Sequence, residues 1–133
     1  MPYRVERSMN GGFMAKILGL GGVFFKCKDT KAYQDWWKTH MGVAVSEWGA
    51  MEWKSDGKSF TLMSPFSDDT EYMQPSTAQF MINLRVDDVA GMLEKARAGG
   101  AKIVGEISDE GYGVFGWFID PEGVKIELWE DKP

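Results

Sequence analysis

The sequence FIDPEGVKIELWE, residues 118–130, predicts two strands joined by a tight turn. Pro121 fixes the backbone φ at the start of the turn, and Gly123 closes it. In the second strand, successive side chains point to opposite faces of the sheet, and one of these faces is apolar. Glu127 falls on the other face, in the middle of the strand. A carboxylate placed there needs a polar partner or a function.

The same order of signals occurs twice along the chain. VFFKCKD near the start matches INLRVDD in the second half, and DGKSFTLM matches EGVKIELW. In the first copy, Asp29 follows a largely apolar strand and predicts the N-cap of a helix that ends at Gly42. Asp56-Gly57 predicts a hairpin turn further on. The strands predicted after the helix lie at residues 43–47, 50–53 and 59–63.

The second copy begins with the strand FMINLRV, and an apolar stripe then predicts a helix that stops at Gly99-Gly100. Its later strands are predicted at residues 101–104, 112–119 and 124–130. A polar stretch at residues 64–79 connects the two copies. We therefore predict an α+β fold, in which two βαβββ modules at about residues 15–64 and 79–130 form a cupped mixed sheet. They make up one domain, residues 15–133, after a flexible leader at residues 1–14.

The composition excludes several classes of partner. The chain has 133 residues, of which 44% are hydrophobic and 26% are charged, as is typical of soluble globular domains. Its net charge of −5 argues against nucleic acid and anionic membranes, because both need a basic face. The single cysteine, Cys27, excludes an intrachain disulfide and indicates the reducing cytoplasm.

The paired βαβββ pattern with its closing DPEGVKIELWE resembles the vicinal oxygen chelate superfamily. This superfamily includes glyoxalase I, bleomycin-resistance proteins and extradiol dioxygenases. The resemblance spans about residues 16–130. It implies the cupped fold, but one fold supports many activities and does not name a reaction.

In metal-dependent members, the resemblance implies four ligands, usually a His on the first strand and a Glu on the last strand of each half. Counting along the family pattern places these positions at Gly22, Thr61, Met81 and Glu127. Only Glu127 is a family-type ligand, and a divalent metal needs about three or more suitable protein ligands. We therefore expect neither a metal nor another cofactor.

Strand alternation predicts which residues share the cup with Glu127. Lys26 and Arg85 favour an anionic group on a ligand, whereas Phe24 and Trp129 would stack on a flat, partly aromatic one. This mixture of apolar and polar side chains suits a small-molecule site. The predicted ligand-binding residues are Phe24, Lys26, Thr61, Met63, Met81, Asn83, Arg85 and Trp129.

Glu127 has two interpretations. Either it forms an ion pair with Arg85 that fills the space of a lost metal, called here the filler ion pair, or it contacts a ligand. We favour a metal-independent small-molecule-binding module similar to bleomycin-resistance proteins. The alternatives are a glyoxalase-like lyase or isomerase with Glu127 as the catalytic general base, and a degenerate structural or regulatory dimer. Six tryptophans and nine methionines also predict a homodimer, because protein interfaces favour both residue types.

Overall fold

The computed structural model describes residues 14–54 and 60–132. The first half contains β1 (Ile17–Cys27), α1 (Thr30–Met41), β2 (Met51–Lys54) and β3 (Phe60–Ser67). The second half contains β4 (Phe80–Val86), α2 (Val89–Ala98), β5 (Lys102–Asp109), β6 (Gly113–Ile119) and β7 (Lys125–Asp131). In the part of the chain described, neither helix is long and apolar enough to cross a membrane.

All seven strands belong to one mixed sheet with the order β2-β3-β1-β4-β7-β6-β5. The first strands of the two halves, β1 and β4, pair antiparallel at the centre. Each of them also pairs in parallel with a later strand of its own half, β1 with β3 and β4 with β7. The two halves therefore meet along one shared seam, as the predicted cupped mixed sheet requires.

The helices begin where the sequence predicts, because an aspartate caps each of them. Asp29 accepts a hydrogen bond from the backbone N–H of Ala32, and Asp88 accepts one from that of Gly91. The first helix ends at Gly42, whose φ of 69° lies in the left-handed region that glycine adopts most readily. Both predicted helices are thereby confirmed.

The helix face and the concave face of the sheet each carry a hydrophobic cluster. On the helix face, α2 packs against β5, β6 and β7. The buried residues of that cluster are Val86, Val89, Leu93, Val114, Ile126 and Leu128. On the concave face the buried residues are Phe24, Leu62, Met73 and Met81. The alternation predicted along β4 and β7 is therefore confirmed, with apolar residues such as Ile126 toward the helix.

The first half differs from the predicted βαβββ order. The strand expected at residues 43–47 is reduced to one isolated bridge between Val45 and Met51. A tight turn causes this, since the N–H of Gly49 donates to the carbonyl of Ser46 and leaves too few residues for a ladder. The predicted hairpin turn at Asp56-Gly57 lies outside the described residues.

Candidate functional site in the concave face

The strand register places five residues in one row across the concave face. From one side of the sheet to the other they are Leu62, Gly22, Asn83, Glu127 and Trp117. Because paired residues of neighbouring strands point to the same face, their side chains share that surface. Glu127 therefore lies near the middle of the sheet and is only 4% exposed.

Three neutral donors satisfy the Glu127 carboxylate. Asn83 Nδ2 donates to Oε1 at 2.7 Å, and Trp117 Nε1 donates to Oε2 at 2.9 Å. The Tyr72 hydroxyl also donates to Oε2. Burial and the negative charge of Glu127 raise the pKa of Tyr72 far above its usual range, so its hydroxyl keeps the proton that it donates. The carboxylate is thus fixed in position by contacts to both oxygens.

Lys125 is the cation nearest to this network. Its Nζ donates to the backbone carbonyl of Tyr72 at 2.6 Å and lies 5.1 Å from the centre of the Tyr72 ring and 5.9 Å from that of Trp117. Burial lowers the pKa of Lys125, and the charge of Glu127 opposes that shift. The ammonium group is therefore held against aromatic faces beside the carboxylate, without a direct hydrogen bond to it.

A cavity of about 870 Å³ opens on this face. Four carboxylate residues, Glu52, Glu110, Glu127 and Asp131, contribute to its lining. Its aromatic residues are Phe24, Trp48, Phe60, Phe66, Tyr72, Tyr112, Phe115, Trp117 and Trp129. Trp48 and Tyr112 are exposed at the mouth, whereas Phe24 and Trp129 are buried. The volume lies within the range of known small-molecule sites, and the lining is predominantly aromatic.

Four of the residues predicted at the site line this cavity: Phe24, Asn83, Glu127 and Trp129. Met81 points to the same face but is fully buried in the cluster with Phe24. Lys26 and Arg85 do not line the cavity, and the Arg85 guanidinium lies next to Gly19. The basic side chains that favoured an anionic ligand are therefore outside the lining.

Thr61 and Met63 were predicted on the wrong face of β3. Leu62 lines the cavity, and it pairs with Gly22 of β1 and with Glu52 of β2. Because side chains alternate along a strand, Thr61 and Met63 point to the opposite face. The residues of β3 that line the cavity are Phe60, Leu62 and Phe66.

Among the described residues, Glu127 also does not form the filler ion pair with Arg85. The hydrogen bonds of Glu127 come from Tyr72, Asn83 and Trp117, which are all uncharged. The interpretation that replaces it is a buried hydrogen-bond network that fixes the carboxylate on the cavity floor.

The site does not fit the metal centre that the superfamily implies. A Cβ atom at Gly22 would lie 2.5 Å from the carbonyl oxygen of Leu62, so a histidine side chain has no room there. Glu127 is engaged by three donors, and Leu62, at the far end of the same row, carries no ligand atom. Residues 14–54 and 60–132 contain no group of three or more His, Cys, Asp or Glu side chains that could hold a metal.

Tyr72 and Trp117 were not predicted as site residues, although both bind Glu127. Trp117 faces Glu127 directly in the β6–β7 register, and strand alternation from Glu127 could have identified it. Tyr72 comes from the polar connection between the halves, where no periodicity indicates its direction. The only signal was the Tyr72-Met73 pair, which places two large side chains among the mostly small or polar residues 67–79.

Comparison with known families gives a clear assignment. The family model of the glyoxalase-like domain matches residues 22–129, which is most of the chain. The chain belongs to the glyoxalase-like domain family. This confirms the resemblance inferred from the paired modules and the closing motif. No protein of curated function matches the sequence.

Solved structures share the fold at low sequence identity. Methylmalonyl-CoA epimerase from Mycobacterium tuberculosis has 19% identity and a TM-score of 0.59, with 88% of this chain and 90% of that chain covered. A variant of the Streptomyces coelicolor methylmalonyl-CoA epimerase, in complex with 2-nitronate-propionyl-CoA, has 13% identity and a TM-score of 0.67, with 89% and 100% covered. A glyoxalase/bleomycin resistance protein/dioxygenase superfamily member from Vibrio splendidus 12B01 has 14% identity and a TM-score of 0.57, with 84% and 99% covered. These similarities establish the fold and leave the activity open.

Proposed function

We propose that this glyoxalase-like protein is a metal-independent small-molecule-binding module whose ligand occupies the concave cavity. The observation that carries the proposal is the aromatic cavity of about 870 Å³ above a fixed, buried carboxylate. A structural filler needs no such space, because protein interiors are close-packed. Stacking on the aromatic walls would supply most of the affinity, and the polar floor would orient the ligand.

The absence of room for a ligand atom at Gly22 supports binding without a metal. The carbonyl oxygen of Leu62 occupies the space that a side chain would need. Glu127 then acts as a positioned hydrogen-bond acceptor rather than as a metal ligand. Elemental analysis of the purified protein is therefore expected to find no stoichiometric Zn, Ni, Fe or Mn.

The alternative is a lyase or isomerase in which Glu127 removes a proton. Its position on the cavity floor beside the Tyr72 hydroxyl favours this candidate. The epimerases of similar fold suggest methylmalonyl-CoA as a first substrate. The phosphate groups of that molecule would, however, approach a cavity lined by four carboxylates. We expect no exchange of its acidic C–H hydrogen in D2O above the buffer rate, and an exchange that Glu127→Gln abolishes would establish the enzyme instead.

Prodan, a neutral and flat naphthalene dye, tests binding without assuming a charge on the ligand. In buffer with EDTA, we expect saturable binding of one dye per chain, with a blue shift of its emission. Ser108→Phe should weaken dye binding about tenfold or more, because the larger side chain at this lining position would occupy part of the cavity. Ser67→Phe is the matched control, since both serines donate a hydrogen bond to an acidic residue two positions later but Ser67 does not line the cavity. Unsaturable dye binding, or equal effects of the two variants, would contradict the proposal.

Two further predictions belong to this proposal. The first is a homodimer, which the exposed Trp36 and Trp53 support, since large aromatic side chains on a surface favour a partner. The second is a cytoplasmic location, which the single Cys27, a free thiol at the end of β1, supports. Both concern the setting of the binding site rather than its chemistry.

A further inference from the structure

The cavity lining carries charges of one sign only, and that sign is the same as the net charge of the chain. Four carboxylates line the cavity, whereas no lysine or arginine does so among residues 14–54 and 60–132. None of the ion pairs in that same part of the chain involves Glu52, Glu110, Glu127 or Asp131. Clefts lined by charges of one sign concentrate ligands of the opposite sign. The cavity therefore attracts cations.

One ammonium group already lies against aromatic rings of this site. Lys125 Nζ lies over the rings of Tyr72 and Trp117, and both residues also line the cavity. Tyrosine and tryptophan faces attract cations through the negative face of the ring. The remaining aromatic walls offer such faces to a molecule inside the cavity.

Two buried polar atoms of the lining have no partner in the described structure, the Asn83 Oδ1 acceptor and the Trp129 Nε1 donor. Asn83 is 3% exposed, and its Nδ2 is committed to Glu127. Its Oδ1, a hydrogen-bond acceptor, has none. A buried acceptor without a donor destabilises the protein unless a ligand or water supplies the hydrogen. The complement of this atom is a hydrogen-bond donor, and a protonated amine supplies such a donor together with a positive charge.

We infer that the cavity selects an organic cation, namely a flat aromatic ring that carries a protonated amine with at least one N–H. The inference rests on the proposed binding function and adds the chemical class of the ligand. The ring stacks on the aromatic walls, the positive charge is balanced by the lining carboxylates, and the N–H reaches the Asn83 amide oxygen.

Calorimetry with a matched set of naphthalene compounds tests this class. The cation is 2-(naphthalen-1-yl)ethylamine, the neutral analogue is 2-(naphthalen-1-yl)ethanol and the anion is naphthalene-1-acetate. We expect the amine to bind about tenfold or more tightly than the alcohol, with weaker binding still for the carboxylate. The preference for the amine should shrink as salt is raised, because salt screens the exposed carboxylates at the mouth.

Two carboxylates at the mouth can be neutralised without disturbing the core. Glu110 and Asp131 are exposed, so the double variant Glu110→Gln/Asp131→Asn should fold, and it should lose several-fold more affinity for the amine than for the alcohol. Glu106→Gln/Glu122→Gln removes the same charge from exposed positions outside the cavity and serves as the control. An equal loss of amine affinity in both double variants would show that only the net charge of the protein matters. That result would overturn the inference.

The N–H requirement has its own comparison. The N,N,N-trimethyl derivative of the amine keeps the charge and loses every N–H, so we expect it to bind several-fold more weakly than the amine. Equal binding would refute the role of Asn83 in selecting the ligand.

If prodan binds but the amine has no advantage over the alcohol, the ligand class is wrong and the binding function stands. If prodan also fails to bind, both are wrong.

Discussion

At the scale of single residues, the charge of Glu127 is distributed over three donors from three parts of the chain. Asn83 comes from β4, Trp117 from β6, and Tyr72 from the connection between the halves. A buried carboxylate is costly unless it is hydrogen-bonded, so this network is a condition for folding as well as a part of the site. The same residue therefore has a structural role in addition to the binding role that we propose for it.

Glu127→Gln should destabilise the protein by about 2 to 3 kcal/mol. Glutamine replaces one acceptor oxygen by an NH₂ group, so at least one of the donors from Asn83 and Trp117 loses its partner. Lys125 also loses the nearby negative charge. Urea unfolding measures the change, with the exposed Glu106→Gln as a control expected to stay within about 0.5 kcal/mol of the parent. Equal stabilities of the two variants would show that the network contributes little.

Asp109 gives a prediction of pH dependence. Lys132 Nζ lies 2.6 Å from its carboxylate, and this hydrogen bond holds the pKa of Asp109 below its usual range. A lowered pKa in the folded state means that the pair stabilises the protein at neutral pH. That contribution falls as the pH drops below about 4, because the unfolded chain then takes up a proton that the folded pair resists, and it is lost once the pH falls below the folded-state pKa. Asp109→Asn should therefore be less stable than the parent at pH 7, with the gap closing below pH about 4. A constant gap across the acid range would contradict this.

At the scale of elements, the sequence predicts strands best where one face of a strand is consistently apolar. Ile82 and Leu84 on β4, and Ile126 and Leu128 on β7, alternate with polar residues, and the structure confirms their faces. Strand β3 has apolar residues at both even and odd positions, including Leu62 and Met63. Its pattern cannot distinguish the two faces, and Thr61 and Met63 were misplaced for that reason.

Two of the five predicted ligand-binding residues that do not line the cavity lie outside it for another reason. Lys26 and Arg85 lie on strands whose faces were predicted correctly, but the concave face of the sheet extends beyond the cavity. The position of a long basic side chain on that face depends on neighbours that sequence alone does not place. Tyr72 shows the converse case, because a segment without periodicity contributes a residue to the centre of the site.

The contact between β1 and β3 gives a prediction at this scale. Gly22→Ala should destabilise the protein by about 1 to 3 kcal/mol, because a Cβ would lie 2.5 Å from the Leu62 carbonyl oxygen and backbone cannot easily move aside. Gly99→Ala is the control, since its Cβ would meet its neighbours at an ordinary 3.5 Å. Thermal unfolding compares the two variants with the parent. A tolerated alanine at position 22 would mean that the two strands can separate, and the argument against a metal ligand there would fail.

At the scale of the whole molecule, the sequence predicts that two copies of the chain form a homodimer. Trp36 is 48% exposed on α1, where its ring contacts Trp37 and His40. Such a surface agrees with the predicted homodimer. Sedimentation at micromolar concentration should give roughly twice the chain mass. A monomer at every concentration tested would refute the dimer without affecting the binding site.

The central claim is that the concave cavity binds a small molecule without a metal. A crystal structure of the protein with prodan, grown in EDTA, tests it most directly. We predict density for the flat dye inside the cavity, in contact with Phe115, Trp117 or Trp129, and no metal beside Glu127. Dye bound only elsewhere on the surface, with the cavity free of it, or a metal held by Glu127 despite the chelator, would contradict the account.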